Sequence, residues 1–534
     1  MDVVIGSGPA GVAAASALVA CGAPVTMLDP GGRLEPDIAA RAARVGERLP
    51  DAWSDAERAA LRGPLRYNSE GAPLKLAFGS DYVYRDVDRL LPVDPARVDA
   101  YRSLAAGGMS AIWGASILPY SEADFDGWPV TAVDMRPHYV SALRLTGMAA
   151  EHDALAELHP LHIEPTTHVA LSSQARRILD RMTTHQAELR DQHVYFGQAR
   201  LAIQPPGVAT TSSCVQCGMC LYGCPYGLIY SAHATLERSL VGGSGFTYIP
   251  GVIVRRLIER TDGITIEAVS RESGALQRFE ASRVYLAAGA FPSTTILLES
   301  LRAHGRSVPM RQSDHFLLPL LLHAPARGVA DERLHTLAQL FVEVMDDSIA
   351  PHAVHLQVYT YNDLYERMAA DRLGVLYRPA APLVARAIER LVMIKGYLHS
   401  RESARIRATL DRRGDASRLR LEVESNERSD AAIDAVARLL MRNRSRIGAT
   451  PLRFALRKGL AGSGVHVGGS FPMRRNPGEF ESDVLGRPTG FTRVHVVDAT
   501  VFPEVAAAST TLTIMANAFR IASCSHREGT RCSS

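Results

Sequence analysis

Four cysteines stand within eleven residues, in the run Cys214-Val-Gln-Cys217-Gly-Met-Cys220-Leu-Tyr-Gly-Cys224-Pro225. The C-x2-C-x2-C-x3-C-P spacing is the one by which bacterial ferredoxins wrap thiolates around an iron–sulfur cluster. Gly218 and Gly223 ease the tight turns such wrapping needs. Cys214, Cys217 and Cys220 are therefore candidate metal ligands. Cys224 is a fourth ligand or a bystander, because in two-cluster ferredoxins the corresponding cysteine serves the other cluster. The motif has three readings: a [3Fe-4S] or [4Fe-4S] cluster, a structural zinc, or a knot of uncoordinated buried thiols. Four cysteines this close rarely coincide without a ligand, which puts the cluster first. Cys21, Cys524 and Cys532 belong to no ligand spacing.

The second constellation opens the chain. Asp2–Ile5 is a short apolar run followed directly by Gly6-Ser7-Gly8-Pro9-Ala10-Gly11, an alanine-rich helical stretch to about Gly22, and a second apolar run ending in Asp29. This is the dinucleotide fingerprint in its strand–turn–helix–strand context. Gly6 permits the turn, Gly8 lets the backbone approach a pyrophosphate, and Gly11 lets the helix pack on the strand. The helix N-terminus directs partial positive charge at the phosphates. Asp29 stands where a carboxylate accepts hydrogen bonds from an adenosine ribose.

The elements between these motifs must position them. Leu104–Pro119 contains Ala-Ala-Gly-Gly-Met-Ser-Ala-Ile-Trp-Gly, which suits either close approach of backbone to a flat ligand or a packed glycine turn. Residues 130–205 read as helical and polar. Phe246–Glu267 and Arg278–Leu286 read as strands, and Asp314–Asp363 reads as a sheet. Pro379–Tyr397 reads as an amphipathic helix carrying Arg386, Arg390 and Lys395 on a solvated face. At 534 residues the chain exceeds one domain. Its 59 basic and 56 acidic side chains give a net charge of +3, and only Lys75, Lys395 and Lys458 are lysines. No basic block accompanies that arginine bias, so nucleic-acid binding is disfavoured. No apolar stretch is long enough for a transmembrane segment, no secretory leader opens the sequence, and clustered cysteines suit a reducing compartment; the expectation is a cytoplasmic protein.

Towards the C-terminus come Gly464-Val465-His466-Val467-Gly468-Gly469, Asp483-Val484-Leu485-Gly486-Arg487, Val494-His495-Val496-Val497-Asp498-Ala499-Thr500-Val501-Phe502-Pro503 and Thr511-Leu512-Thr513-Ile514-Met515-Ala516. With the N-terminal fingerprint, the Gly107–Gly114 loop and Val284-Tyr285-Leu286-Ala287-Ala288-Gly289-Ala290, this ordered set resembles the glucose–methanol–choline family of flavoprotein oxidoreductases. The resemblance implies bound FAD and an α/β fold (α+β overall). A Rossmann-type FAD-binding domain would be assembled from residues 1–130, 206–312 and 456–534, with a Cys-rich insertion at 212–226. A sheet-and-helix substrate domain would comprise residues 131–205 and 313–455. By position, Gly6, Gly8, Gly11 and Asp29 would hold the ADP moiety, with Val254 meeting the adenine through its backbone and Ala288 and Gly289 supporting the nucleotide. Ser110 and Trp113 would lie beside the flavin, while Asp498, Ala499 and Leu512 would contact its pyrophosphate, ribityl chain or ring.

His466 matches the family's catalytic histidine, which accepts a hydroxyl proton while hydride passes to the flavin. Where the family usually has Asn or His before the last helix, this chain has Ser509. A hydroxyl can orient a substrate but cannot act as a second imidazole. His495 is expected to be packed or solvent-facing. The implied activity is FAD-dependent oxidation of CH–OH to a carbonyl on a small-molecule alcohol, with a redox carrier or dioxygen as electron acceptor. A sugar, cyclitol or glycoside is the leading substrate class, an aminoglycoside-precursor hydroxymethyl group being one case. Hydrophobic or sterol-like alcohols are the alternative. From another class, a turnover-deficient FAD- and metal-bearing electron-transfer or assembly protein fits the serine departure.

Overall fold

The fold is described from a computed structural model covering residues 1–68, 71–95, 97–204, 213–413 and 416–531. The expected boundaries at residues 206 and 212, and Cys532, lie outside the described residues. A five-stranded parallel sheet forms the dinucleotide layer, in the order Val494–Val496, Arg283–Leu286, Asp2–Ile5, Val25–Asp29, Phe246–Pro250. The two N-terminal strands are short apolar runs buried along their whole length, as a parallel sheet covered on both faces requires. Segments almost 500 residues apart in sequence thus meet in one sheet. The helices Pro9–Ala20 and Thr511–Arg531 pack on each other beside it. The chain is α/β, with a Rossmann-like layer built from discontinuous segments.

The span expected as one strand from Phe246 to Glu267 is broken at Gly251, whose φ is +79°, and by a turn before Ile264. Strands Val252–Glu259, Ile264–Ser270 and Leu276–Ala281 then form a separate antiparallel sheet.

A larger antiparallel sheet runs Ala449–Pro451, His315–Leu322, Leu391–Tyr397, Val354–Tyr359, Leu340–Val344, Val194–Gln198. Alternation along its strands sorts residues onto two unlike faces. Leu318, Leu320, Ile394, Leu356, Val358 and Val342 form one face, which is covered by Ile178 and Met182 of the helix Ser173–Thr184 and by Val436 and Leu440 of Glu427–Arg442. The other face is polar and aromatic. Its register places His315, Tyr397, His355 and Glu343 in one row across four strands, and Leu317, Lys395, Gln357 and Phe341 in the next.

Here the structure corrects one expectation. The amphipathic helix covers only Tyr377–Ile388, and Leu391–Tyr397 is a central strand paired on both sides. Glu389 and Arg390 close the helix, and the run Leu-Val-Met-Ile gains more from ladder bonds and packing than from continuing it. Lys395 consequently does not belong to a solvated arginine face. Among the described residues no helix is long and apolar enough to cross a membrane.

Candidate functional site

The glycines of the N-terminal turn have distinct tasks. A Cβ on Gly6 would lie 2.5 Å from the Ala287 carbonyl oxygen, and one on Gly11 only 1.9 Å from the Gly6 carbonyl oxygen. Both closures are therefore made of backbone packed on backbone. A Cβ on Gly8 would meet no protein atom within 4 Å. Gly8 precedes the helix Pro9–Ala20 and faces open space at its N-terminus, a place suited to a pyrophosphate. Asp29 is buried, and its carboxylate accepts from the Ser7 amide (2.8 Å), the Ser7 hydroxyl (2.7 Å), the Gly31 amide (2.7 Å) and the Tyr248 hydroxyl (3.1 Å). Burial raises its pKa and those four donors oppose the rise. Its visible task is to fix the turn around which a ribose would sit.

The glycine-rich loop docks on that turn. Gly107 donates its amide to the Ser7 hydroxyl (2.9 Å), with Gly107 at φ +81° and Gly108 at +57°. Ser110 is turned inward, donating to the Gly107 carbonyl (2.6 Å) and accepting from the Ala232 amide (2.9 Å). It therefore braces the loop through contacts within the protein. Trp113 donates Nε1–H to the Tyr230 carbonyl (2.8 Å), and its own carbonyl accepts from Lys75 Nζ (2.6 Å). Val254 is buried in a strand whose register shifts immediately after it.

The C-terminal motif closes the same cleft. Asp498 is buried, and accepts from the Gly289 amide (2.8 Å), the Ser293 hydroxyl (2.5 Å) and the Thr500 amide (2.9 Å). It ties the turn at Ala499–Val501 to the start of the helix Ala290–Ser300. Ala288 and Gly289, the latter at φ +91°, form the approach to that helix, and no protein atom lies within 4 Å of a Cβ built on Gly289. Leu512 is buried in the first turn of Thr511–Arg531. Ser509 is buried just before that helix, and among the described residues no hydrogen bond joins it to His466. His495 is packed as expected, stacked on Tyr285 with its Nδ1 2.9 Å from the Leu485 carbonyl.

His466 sits between these motifs and the polar sheet face. A Cβ on Gly468 would lie 2.2 Å from the Ala499 carbonyl oxygen, and the Gly469 amide donates to that same oxygen (2.9 Å). Only this glycine pair lets the strand after His466 press on the Asp498 turn. The imidazole stacks on Tyr397 at 4.7 Å, and its Nδ1 is buried without a protein partner. Burial, reinforced by the charges of Lys395 and His355, pushes the His466 pKa down to about 3. The ring is neutral at ordinary pH and has a nitrogen free to take a proton.

The four motif cysteines line one apolar cavity together with Ile203, Tyr226, His335 and Leu337. All four are free thiols. Burial, followed by the neighbouring Cys220, pushes the Cys214 pKa up to about 12, and burial likewise raises Cys217 and Cys220. Lys75 interacts electrostatically with this group; burial lowers its pKa to about 8, while Cys220 and Cys224 oppose the change. Zinc–sulfur bonds of ~2.3 Å would bring tetrahedral sulfurs within roughly 3.8 Å of one another. No three of the four sulfurs converge within 4.8 Å; among the described residues only His352, His399 and Glu402 do.

Sequence reasoning missed Tyr359, Tyr397 and the inward placement of Lys395. The only available signal was period-two alternation of polar and apolar residues in His352–Thr360 and Leu391–Tyr397, which the neighbouring helix pattern obscured.

No family model matches the sequence. The chain is 24% identical to paromamine 6'-oxidase of Streptomyces fradiae, over 97% of this chain and 90% of that protein. Among solved structures it resembles pyridoxine 4-oxidase from Mesorbium loti (TM-score 0.59, 17% identity, covering 98% of this chain and 99% of that one). It also resembles the formate oxidase of Aspergillus oryzae RIB40, described with respect to FAD modification (TM-score 0.58, 12% identity, 99% and 98% covered). Over its whole length the chain shares the fold of these oxidases, and its motif order resembles that of the glucose–methanol–choline family of flavoprotein oxidoreductases.

Proposed function

We propose that this protein oxidises the CH–OH group of a small-molecule alcohol to a carbonyl, with FAD as the hydride acceptor. The observation that carries this reading is His466: a neutral imidazole with an unpartnered nitrogen, held by glycine packing against the Asp498 turn and facing the polar sheet. The empty space beside Gly8 and Gly289 suits the nucleotide of FAD, and the first amides of the C-terminal helix suit its flavin end. FAD, when bound, supplies the two-electron acceptor. His466 takes the hydroxyl proton, so the alcohol loses one proton and one hydride, and the protein keeps the proton until solvent removes it. Gly6, Gly8, Gly11, Asp29, Ser110, Trp113, Val254, Ala288, Gly289, Asp498, Ala499 and Leu512 form the cofactor's surroundings. Several of them, notably Asp29, Ser110 and Asp498, act by fixing backbone. Ser509 orients substrate at most.

Residues 1–130, 206–312 and 456–534 carry the flavin in this reading, and 131–205 and 313–455 roof the substrate. Sugars, cyclitols and glycosides are the leading substrate class, in keeping with the name of the paromamine oxidase. The cysteine cavity supports an iron–sulfur cluster held by Cys214, Cys217, Cys220 and Cys224, which would give electrons a one-at-a-time exit to a carrier. Lys75, beside two of these cysteines, would balance thiolate charge. The deciding experiment is anaerobic mixing of FAD-loaded protein with sugars, amino sugars, aliphatic alcohols and alcohols that carry a carboxylate or phosphate. Bleaching of the flavin by at least one alcohol is expected, and a flavin that none of them reduces overturns the reading.

A further inference from the structure

Lys395 is one of three lysines in the chain, and it stands on the polar sheet face one residue pair away from the ring that stacks on His466. Its Nζ lies 5.2 Å from the Tyr397 centroid, and Tyr397 in turn lies 4.7 Å from the His466 ring. Across the sheet its neighbours are Gln357 and Leu317. Gln357 is already engaged, accepting from the Tyr359 hydroxyl (2.7 Å). The nearest acid on the same face, Glu343, is paired with His355 at 2.6 Å. Among the described residues no carboxylate forms an ion pair with Lys395, and no side-chain hydrogen bond is made by its ammonium. Among the described residues its electrostatic neighbours are the Tyr397 ring, Tyr359, His466 and His315, none of them a carboxylate. Lys395 is half-buried beside the base and has no carboxylate of the protein paired with it, so an anionic ligand in the cleft would meet an uncompensated cation.

We infer that Lys395 is the anion-recognising group of the substrate cleft, so that the alcohol presented to His466 carries an acid substituent, carboxylate or phosphate, that pairs with the Lys395 ammonium. The inference rests on the proposed alcohol oxidation and narrows its substrate class. Neutral alcohols lose the ion pair, and amine-bearing alcohols meet like charge, so the cleft discriminates by repulsion as well as attraction. Burial lowers the Lys395 pKa, and an incoming anion favours the protonated form again, so binding draws the proton back.

Two readouts on the FAD-loaded protein test this independently. In the first, benzoate and phenyl phosphate are titrated in and followed by perturbation of the flavin absorption, without turnover. The Kd of at least one is expected to rise by about tenfold or more in Lys395→Met, which is roughly 1.4 kcal/mol of lost pairing, and to recover partly in Lys395→Arg. The tighter of the two identifies the acid group. In the second, flavin reduction is compared for 4-(hydroxymethyl)benzoate, benzyl alcohol and 4-(hydroxymethyl)benzylamine. The wild type should prefer the carboxylate over the amine in KM by about tenfold or more, and Lys395→Met should bring the two within about twofold. Anion Kd values within about twofold of wild type in Lys395→Met overturn the inference. A flavin that no alcohol reduces defeats the proposed oxidation instead, and the anion titration still decides the role of Lys395.

Discussion

At the scale of single residues, the proposed chemistry falls on His466, and the surroundings of that imidazole dictate what to measure. A positioned general base is worth about 10²–10⁴-fold in rate, so His466→Ala should keep FAD and lose that much in anaerobic flavin reduction by stopped flow. Ser509→Ala should lose far less, because among the described residues no hydrogen bond ties Ser509 to the imidazole, whose buried Nδ1 has no partner. The pH dependence follows from the depressed His466 pKa. The base works in its neutral form, which persists above the folded-state pKa and is lost below it. Flavin reduction should therefore stay level as pH falls from about 8 to about 5, where an unperturbed imidazole would already be mostly protonated. An acid limb centred near the ordinary histidine pKa would show that His466 is not held in its desolvated setting during turnover.

At the scale of elements, the nucleotide turn separates two kinds of glycine that look alike in sequence. Gly11→Val would drive a side chain into the Gly6 carbonyl, so strand and helix must part; a fall in Tm equivalent to ~1–3 kcal/mol or more is expected. A Cβ at Gly8 meets no protein atom within 4 Å, so the Gly8→Val apoprotein should keep its Tm within about 2 °C, yet the side chain would stand in the pyrophosphate's place. Thermal unfolding with and without added FAD distinguishes the two. Tm should rise with FAD in wild type and not in Gly8→Val. A Gly8→Val protein that retains its yellow colour would place the nucleotide elsewhere.

At the scale of the whole molecule, the question is where electrons go after the alcohol is oxidised. The cysteine cavity lies against the segment that carries His335 and Leu337, while Lys75 links its neighbourhood to the Trp113 loop through the Trp113 carbonyl. If iron and sulfide fill the cavity, protein prepared anaerobically should contain three or four irons per chain with matching acid-labile sulfide, and should give an EPR signal in one oxidation state. Cys217→Ser should lose the iron and the reduction of artificial one-electron dyes while keeping FAD. Zinc in that cavity, or full dye reduction in Cys217→Ser without iron, would leave dioxygen as the direct acceptor.

Much of this was legible in the chain itself, because fingerprint glycines, clustered thiols and the His466 run are local patterns with local physical causes. Gly6, Gly8 and Gly11 imply a strand–turn–helix whatever surrounds them, and the C-x2-C-x2-C spacing brings thiols together by chain connectivity alone. The tertiary structure decided what such patterns cannot encode. Asp29, Ser110 and Asp498 look like ligand contacts in sequence, yet their polar atoms are spent within the protein, Asp29 on Ser7, Gly31 and Tyr248, Ser110 on the Gly107 carbonyl and the Ala232 amide, and Asp498 on the start of a helix some 200 residues earlier. Lys395 changed from a solvated helix position to the face of a central strand, because the ladder bonds on either side of Leu391–Tyr397 come from strands that sequence-local propensity cannot see. Short-range spacing fixes turns and ligand knots, whereas the direction a side chain faces is set by long-range pairing, and in this protein the substrate side of the cleft depends on that pairing.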